Sequence, residues 1–236
     1  MKQSLQKRLT ITLSLVCMLS LSATFASAQK KRLKDAERHA NAAARVFDQI
    51  MAVKERGIPK ELLDRAEAIA VFPGVVKAAF IIGGSGGQGV ISRRVRGGWS
   101  APAFFNLGGG SLGLQIGAQK TDYVLLIMNE EGLKGLMEDK FEMGGEVSVA
   151  AGPIGRTASA TTNATLDAGI LSYSRSRGAF VGAALKGGVI NPDNNLNEAV
   201  YEGKKASEVL ATVKEMSEMP AGVQLFPVTL SRYSKR

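Results

Sequence analysis

From residue 68 to about residue 186 the sequence is a succession of short apolar or alternating runs, each of strand length and each punctuated by glycine. Runs at 75–82, 88–95, 101–107, 111–118, 122–129, 142–150, 156–162, 167–174 and 178–185 follow one another too closely for crossover helices, with one helical insertion at 130–139. That spacing predicts an antiparallel meander rather than βαβ units. Glycine inside strands, as in Leu112-Gly113-Leu114-Gln115-Ile116-Gly117, costs stability unless the backbone must coil tightly or approach something closely. Small, strongly curved sheets use it in that way. The expected fold class is α+β: a glycine-rich, mostly antiparallel β-barrel or sandwich with an N-terminal amphipathic helix and a short C-terminal helix.

The periodicity is different on either side of the meander. Between residues 33 and 54, Leu33, Ala36, Ala40, Ala43, Phe47 and Ile50 fall on one helical stripe. Lys34, Glu37, Arg38 and Arg45 occupy the opposite face. The stripe either inserts into a membrane interface or packs on the domain, and its alanine content favours packing. Gly57 suits a helix C-cap, and Pro59 suits the start of a second helix reaching residue 67. After Asn191-Pro192-Asp193, read as a turn, a short segment at 197–201 and a helix at 206–216 close the domain, leaving 220–236 as a peripheral C-terminal tail. At the other end, Lys2, Lys7 and Arg8 precede an apolar stretch at 9–21 and a small-residue site, Ala26-Ser27-Ala28. This is the pattern of a cleaved signal peptide at 1–28, with an apolar run shorter than the ~20 residues that span a bilayer.

Residue counts exclude several chemistries. The chain has one cysteine, Cys17, inside the leader, and one histidine, His39. A mature chain has no disulfide and no thiolate zinc site, and a two-histidine metal centre or a Ser-His hydrolase would need a second subunit. No cofactor is expected. Charge is uneven: residues 29–100 hold 14 basic and 7 acidic residues, and the rest of the chain to residue 236 is close to neutral. A basic segment suits an anionic partner. No basic run is interleaved with aromatics, so nucleic acid is not the expected partner and a membrane surface is.

Two motifs fail on context. Gly84-Ser85-Gly86-Gly87-Gln88-Gly89 and Gly108-Gly109-Gly110-Ser111-Leu112-Gly113 both satisfy G-x-G-x-x-G. A dinucleotide site needs its last glycine to open a helix; here both lead into strands, and both runs are read as hairpin loops. His39, between Arg38 and Ala40, is read as a solvated side chain.

Longer blocks carry a resemblance. Ala70-Val71-Phe72-Pro73-Gly74-Val75-Val76-Lys77-Ala78, Gly97-Gly98-Trp99-Ser100-Ala101-Pro102-Ala103-Phe104, Gly110-Ser111-Leu112-Gly113-Leu114-Gln115-Ile116-Gly117, Val149-Ala150-Ala151-Gly152-Pro153-Ile154-Gly155-Arg156, Leu171-Ser172-Tyr173-Ser174-Arg175-Ser176-Arg177-Gly178 and Asn191-Pro192-Asp193-Asn194 occur in order. Together they resemble the successive blocks of the SYLF-domain lipid-binding family over residues 33–203, and they make 29–219 the domain. Departures are small: Ala179-Phe180 follows Gly178 where a larger apolar residue often stands, and Tyr201-Glu202-Gly203 has one extra residue.

The resemblance implies binding of anionic phospholipid at a membrane surface, assisted by the N-terminal amphipathic helix. Some fungal members also bind actin, which an exported chain would not meet. The leader resembles those of exported Gram-negative members, so the expected location is the periplasm, facing or attached to the outer membrane. The candidate lipid-binding residues are Lys77, Arg93, Arg94, Arg96, Arg156, Arg175, Arg177 and Lys186, because guanidinium forks and ammonium groups suit phosphate. Trp99, with Phe104 and Phe105, is either an interfacial anchor or core. The alternative is a structural or interaction module with an envelope protein partner. An enzyme has little support: Asp122, Asp167 and Asp193 are the acids worth considering, and neither a paired acid–base spacing nor a metal set accompanies them.

Overall fold

Two long strands set the architecture. In the computed structural model, β1 (Ala68–Ala79) and β2 (Gly83–Val95) pair antiparallel along nearly their whole length, and β1 pairs on its other side with β5 (Gly117–Ile127). The structure describes residues 2–53, 57–79, 83–111, 117–138, 140–145, 147–155, 167–176, 179–183, 185, 187–212 and 219–234, with side chains from residue 27 onward except at the strand ends 78–79, 83, 110–111 and 117–118. The remaining strands are β3 (Gly98–Trp99), β4 (Ala103–Ser111), β6 (Phe141–Glu142), β7 (Val149–Ala151), β8 (Ile170–Ser176), β9 (Ala179–Gly182) and β10 (Val189–Pro192). They form one sheet in the order β6-β10-β4-β2-β1-β5-β8-β7, with β3 on β2 and β9 on β8. Every pairing is antiparallel except β7 with β8.

The sheet curls into a half-barrel and ends at β6 and β7, so it is neither the closed barrel nor the sandwich that the pattern allowed. Closure would require its two edge strands to meet. The α+β class, the mostly antiparallel sheet and the N-terminal helix hold, but the expected meander is broken: β5 crosses over to pair with β1, and β10 takes the place beside β4. The expected strand at 156–162 lies outside the described residues.

A bulge in β1 provides part of the curl. The register with β5 shifts between Phe72 and Val75. Gly74 sits there at φ +58°, a left-handed conformation that glycine tolerates and other residues disfavour. Its amide donates to Asp122 Oδ1 at 2.8 Å.

The described residues of the glycine runs are strand, not hairpin loops. Residues 83–89 lie within β2, and Gly108 to Gly110 lie within β4, paired as Gly84 with Gly110, Ser85 with Gly109 and Gly86 with Gly108. Periodicity cannot register a strand that lacks side chains, although its amides still fill the ladder. The first run continues as strand through Val95, as expected, whereas the continuation of the second, at 112–116, lies outside the described residues. On one face the sheet demands glycine: a Cβ on Gly89 would overlap the Val71 carbonyl and the Phe72 ring. On the other face, Gly84 and Gly86 look onto open space.

Helix α1 (Lys2–Met51) is continuous through the leader-like residues into the domain. No helix among the described residues is long and apolar enough to cross a membrane. Ala36, Ala40, Ala43, Phe47 and Ile50 are all buried, so the stripe is core. Alanine lets the helix axis come close to the sheet and its neighbours. The expectation that this apolar face assists membrane attachment is therefore corrected for the folded form: its surface is already covered.

Short helices complete the domain: α2 (Lys60–Arg65), α3 (Glu130–Leu136), α4 (Asn194–Val200), α5 (Ala206–Ala211) and α6 (Leu225–Tyr233), the last preceded by a 3-10 turn at Ala221–Val223. Asn129 caps α3 by accepting from the Gly132 amide, and Asp193 caps α4 by accepting from the Leu196 amide. Asn191 and Pro192, read as a turn, belong to β10. The segment after Pro220, read as a peripheral tail, is core: Val223, Phe226 and Leu230 are buried against α1. Its apolar spacing is short, and only the docking surface of α1 gives it a place.

Candidate functional site

The cationic residues fall into an internal set and an outward set. Arg94, on β2, is internal at 9% exposure. Its Nε donates to the Ala66 carbonyl at 2.9 Å and its Nη2 to the Leu63 carbonyl at 2.6 Å, which closes the C-terminal end of α2. Nη2 also reaches Ser234 Oγ at 2.7 Å. The guanidinium lies 4.2 Å from the centre of the Trp99 ring. Trp99 is itself buried and donates through Nε1 to the Ser234 carbonyl at 3.4 Å. Arg94 and Trp99 thus form an internal pair that ties β2, β3, α2 and the C-terminus together.

Arg175, on β8, is held by an acid. Its Nε and Nη2 donate to Asp122 Oδ2 at 3.0 and 2.8 Å, while the other oxygen of that carboxylate holds the Gly74 bulge. Lys77 lies over the Tyr123 ring at 5.4 Å. Arg93 is half-buried, 3.9 Å from Glu130, with its Nε lacking a hydrogen-bond partner. Arg96, at the β2–β3 turn, is exposed and makes no ion pair among the described residues. Arg156, Arg177 and Lys186 lie outside the described residues. Phe104 and Phe105 are buried. The structure brings Arg94 and Trp99 together, and it leaves Lys77, Arg93, Arg96 and Arg175 apart.

The larger outward cationic surface is on α1. Lys30, Lys34, Arg38 and Arg45 repeat at helical spacing on the face opposite the buried stripe, with Lys31 beside them; Arg32 lies on the domain side of the helix, and all six are exposed. Arg38 pairs with Asp35 at 3.1 Å, and Arg32 donates to the Asn195 carbonyl. Lys30, Lys31, Lys34 and Arg45 make no ion pair among the described residues. Sequence reasoning noted the polar face yet ranked loop-mouth cations above it; the helical spacing was the signal that would have promoted it.

Acids and phenols have structural roles. Asp122 serves the bulge, and Asp193 caps α4 while its Oδ2 accepts from Gln88. Tyr201 donates to the Pro102 carbonyl at 2.6 Å and Tyr173 to the Pro153 carbonyl at 3.2 Å, and burial pushes both phenols far up, keeping them protonated donors. His39 is half-buried rather than fully solvated; burial, and next the charge of Arg38, lower its pKa. The described residues hold no group of three or more metal-ligating side chains.

A curled, mostly antiparallel half-barrel backed by a helix with one buried alanine stripe and one cationic face defines an α+β domain. The family model described as "Ysc84: Las17-binding protein actin regulator" matches residues 108–233, and the chain belongs to this Ysc84, or SYLF-domain, family. LAS seventeen-binding protein 3 of Saccharomyces cerevisiae is 34% identical over 179 residues, covering 74% of this chain and 39% of the relative. Protein YSC84 of the same yeast is 33% identical over 179 residues, with 74% and 38% covered. SH3 domain-containing YSC84-like protein 1 of Xenopus laevis is 29% identical over 177 residues, with 71% and 52% covered. The chain spans between about a third and a half of the length of the curated relatives it matches. Of these relatives, LAS seventeen-binding protein 3 is named for binding.

Proposed function

We propose that this chain is a non-catalytic module that binds anionic phospholipid surfaces through the outward cationic face of α1 together with Arg96. One observation carries the reading: α1 spends its apolar stripe on the core while Lys30, Lys31, Lys34 and Arg45 project outward from a rigid element. Each such charge near an anionic surface contributes about 1 kcal/mol, less at high salt. The leader-like residues 1–28 would place this activity at the bacterial envelope, on the periplasmic side. The internal placement of Arg94 and the pairing of Arg175 argue against direct headgroup contact by these two sequence candidates.

A second reading is favoured by the relatives' names. LAS seventeen-binding protein 3 is named for a protein partner, and the same cationic face would suit an acidic protein surface in place of lipid. Vesicle co-sedimentation separates the two. Binding to anionic vesicles but not zwitterionic ones, falling between about 50 and 300 mM salt, supports the lipid reading. Equal sedimentation with both vesicle types, or with neither, overturns it.

A further inference from the structure

The C-terminal segment lies along the helix whose apolar stripe would matter most at a membrane. Gly222 sits so close to Glu37 that a Cβ there would overlap the Glu37 side chain. Ten to eleven residues further along each segment, Tyr233 packs edge-on to Phe47, with ring centroids 5.8 Å apart, and Arg232 lies 3.7 Å from Asp48. Residues 222–233 therefore run beside residues 37–48 of α1 in the same direction, with Phe226 and Leu230 buried between the layers.

The segment is fastened at its end. The Ser234 hydroxyl accepts from Arg94 and lies within donating reach of the Leu63 carbonyl at 3.2 Å and Asp64 Oδ1 at 3.0 Å; the Ser234 carbonyl accepts from Trp99. Along its length the fit is less complete. Asp48 Oδ1 on α1 and Thr229 Oγ1 on α6 are both buried without a hydrogen-bond partner. A buried orphan polar atom is costly, so the seam carries two such costs beside its Ser234 fastening, its Arg232–Asp48 pair and its apolar contacts.

We propose that residues 219–234 are a latch over α1: when Ser234 leaves the Arg94–Trp99 clasp, α6 swings away and the Phe47–Ile50 end of the α1 stripe becomes available to the acyl region of an anionic membrane. This rests on the lipid reading above and adds a closed and an open state to it. In the closed state the chain meets a membrane by charge alone. In the open state α1 presents a cationic face and an apolar face together, the arrangement that lies in a membrane interface.

The chain supplies its own reporter, since Trp99 is its only tryptophan and sits in the clasp. The test is a Glu37→Cys/Gly222→Cys chain on a Cys17→Ser background, studied oxidised and reduced with vesicles of mixed phosphatidylglycerol and phosphatidylcholine. The readouts are co-sedimentation and acrylamide quenching of Trp99. The reduced form is expected to bind at least about tenfold more tightly than the oxidised form at high salt, and its Trp99 to become quencher-accessible on vesicle addition while the oxidised form's does not. Equal binding and equal quenching in the two forms overturn the latch and leave the lipid reading standing. Failure of both forms, and of the unsubstituted chain, to bind at any salt concentration overturns the lipid reading and the latch with it.

Discussion

At the scale of single residues, backbone crowding and buried charge decide which positions are sensitive. Gly89 and Gly84 belong to the same strand and have opposite requirements. Gly89→Ala pushes a methyl into the Val71 carbonyl and is expected to cost about 1–3 kcal/mol. Gly84→Ala adds a methyl in open space and is expected to be neutral or stabilising by up to about 1 kcal/mol; urea midpoints of the two variants check the contrast. Arg94 and Arg96 differ in the same manner. Arg94→Ala strips donors from the Leu63 and Ala66 carbonyls and is expected to destabilise by about 2–4 kcal/mol. Arg96→Ala is expected to leave stability within about 0.5 kcal/mol and to weaken binding to anionic vesicles in low salt. His39 gives a pH signature. Its folded pKa lies below the ordinary 6.5, first through burial. Below pH 6.5 the unfolded chain therefore binds more protons, and the stability present above that value is lost as pH falls. His39→Gln is expected to flatten the stability profile between pH 7 and 5.5, measured by thermal melts.

At the scale of elements, α1 and α6 form one unit separated by most of the sequence. Phe226→Ala is expected to cost about 3–5 kcal/mol because the side chain is fully buried, whereas a surface tail would tolerate it; denaturant melts distinguish the two. The helical period of α1 identified its buried stripe from the residues alone, down to Ala36, Ala40, Ala43, Phe47 and Ile50. Nothing in that period names the covering partner, because a stripe of alanine and phenylalanine suits a sheet, a helix or a bilayer equally well. The glycine runs show the opposite difficulty: without side chains they carry no period, so strand pairing across β1, β2 and β4 had to reveal them as ladder. The candidate cations were legible in the sequence, but the groups that surround them were not. Arg94 and Arg175 lie in basic stretches of sequence, but a carbonyl pair, an aromatic ring and the Asp122 carboxylate, all distant along the chain, take up their charge.

At the scale of the whole molecule, the charge asymmetry has a direction. Part of the basic excess of residues 29–100 emerges on the outward side of α1, whose inner side is fixed to the half-barrel, so reversing Lys30, Lys31 and Lys34 to glutamate is expected to abolish binding to anionic vesicles while leaving the melting temperature nearly unchanged, as co-sedimentation and calorimetry would record. The sequence by itself determined the local quantities: strand-length runs, helical stripes, the helical insertion after Asn129 and net charge, each set by neighbours within a few positions. Tertiary structure decided what depends on residues far apart: that the sheet stops at a half-barrel, that the final helix is core, and which cations face water. The physical reason is that burial and charge neutralisation are properties of a packed neighbourhood, and loops of more than a hundred residues separate Arg94 from Ser234 and Phe47 from Tyr233 until the chain has folded.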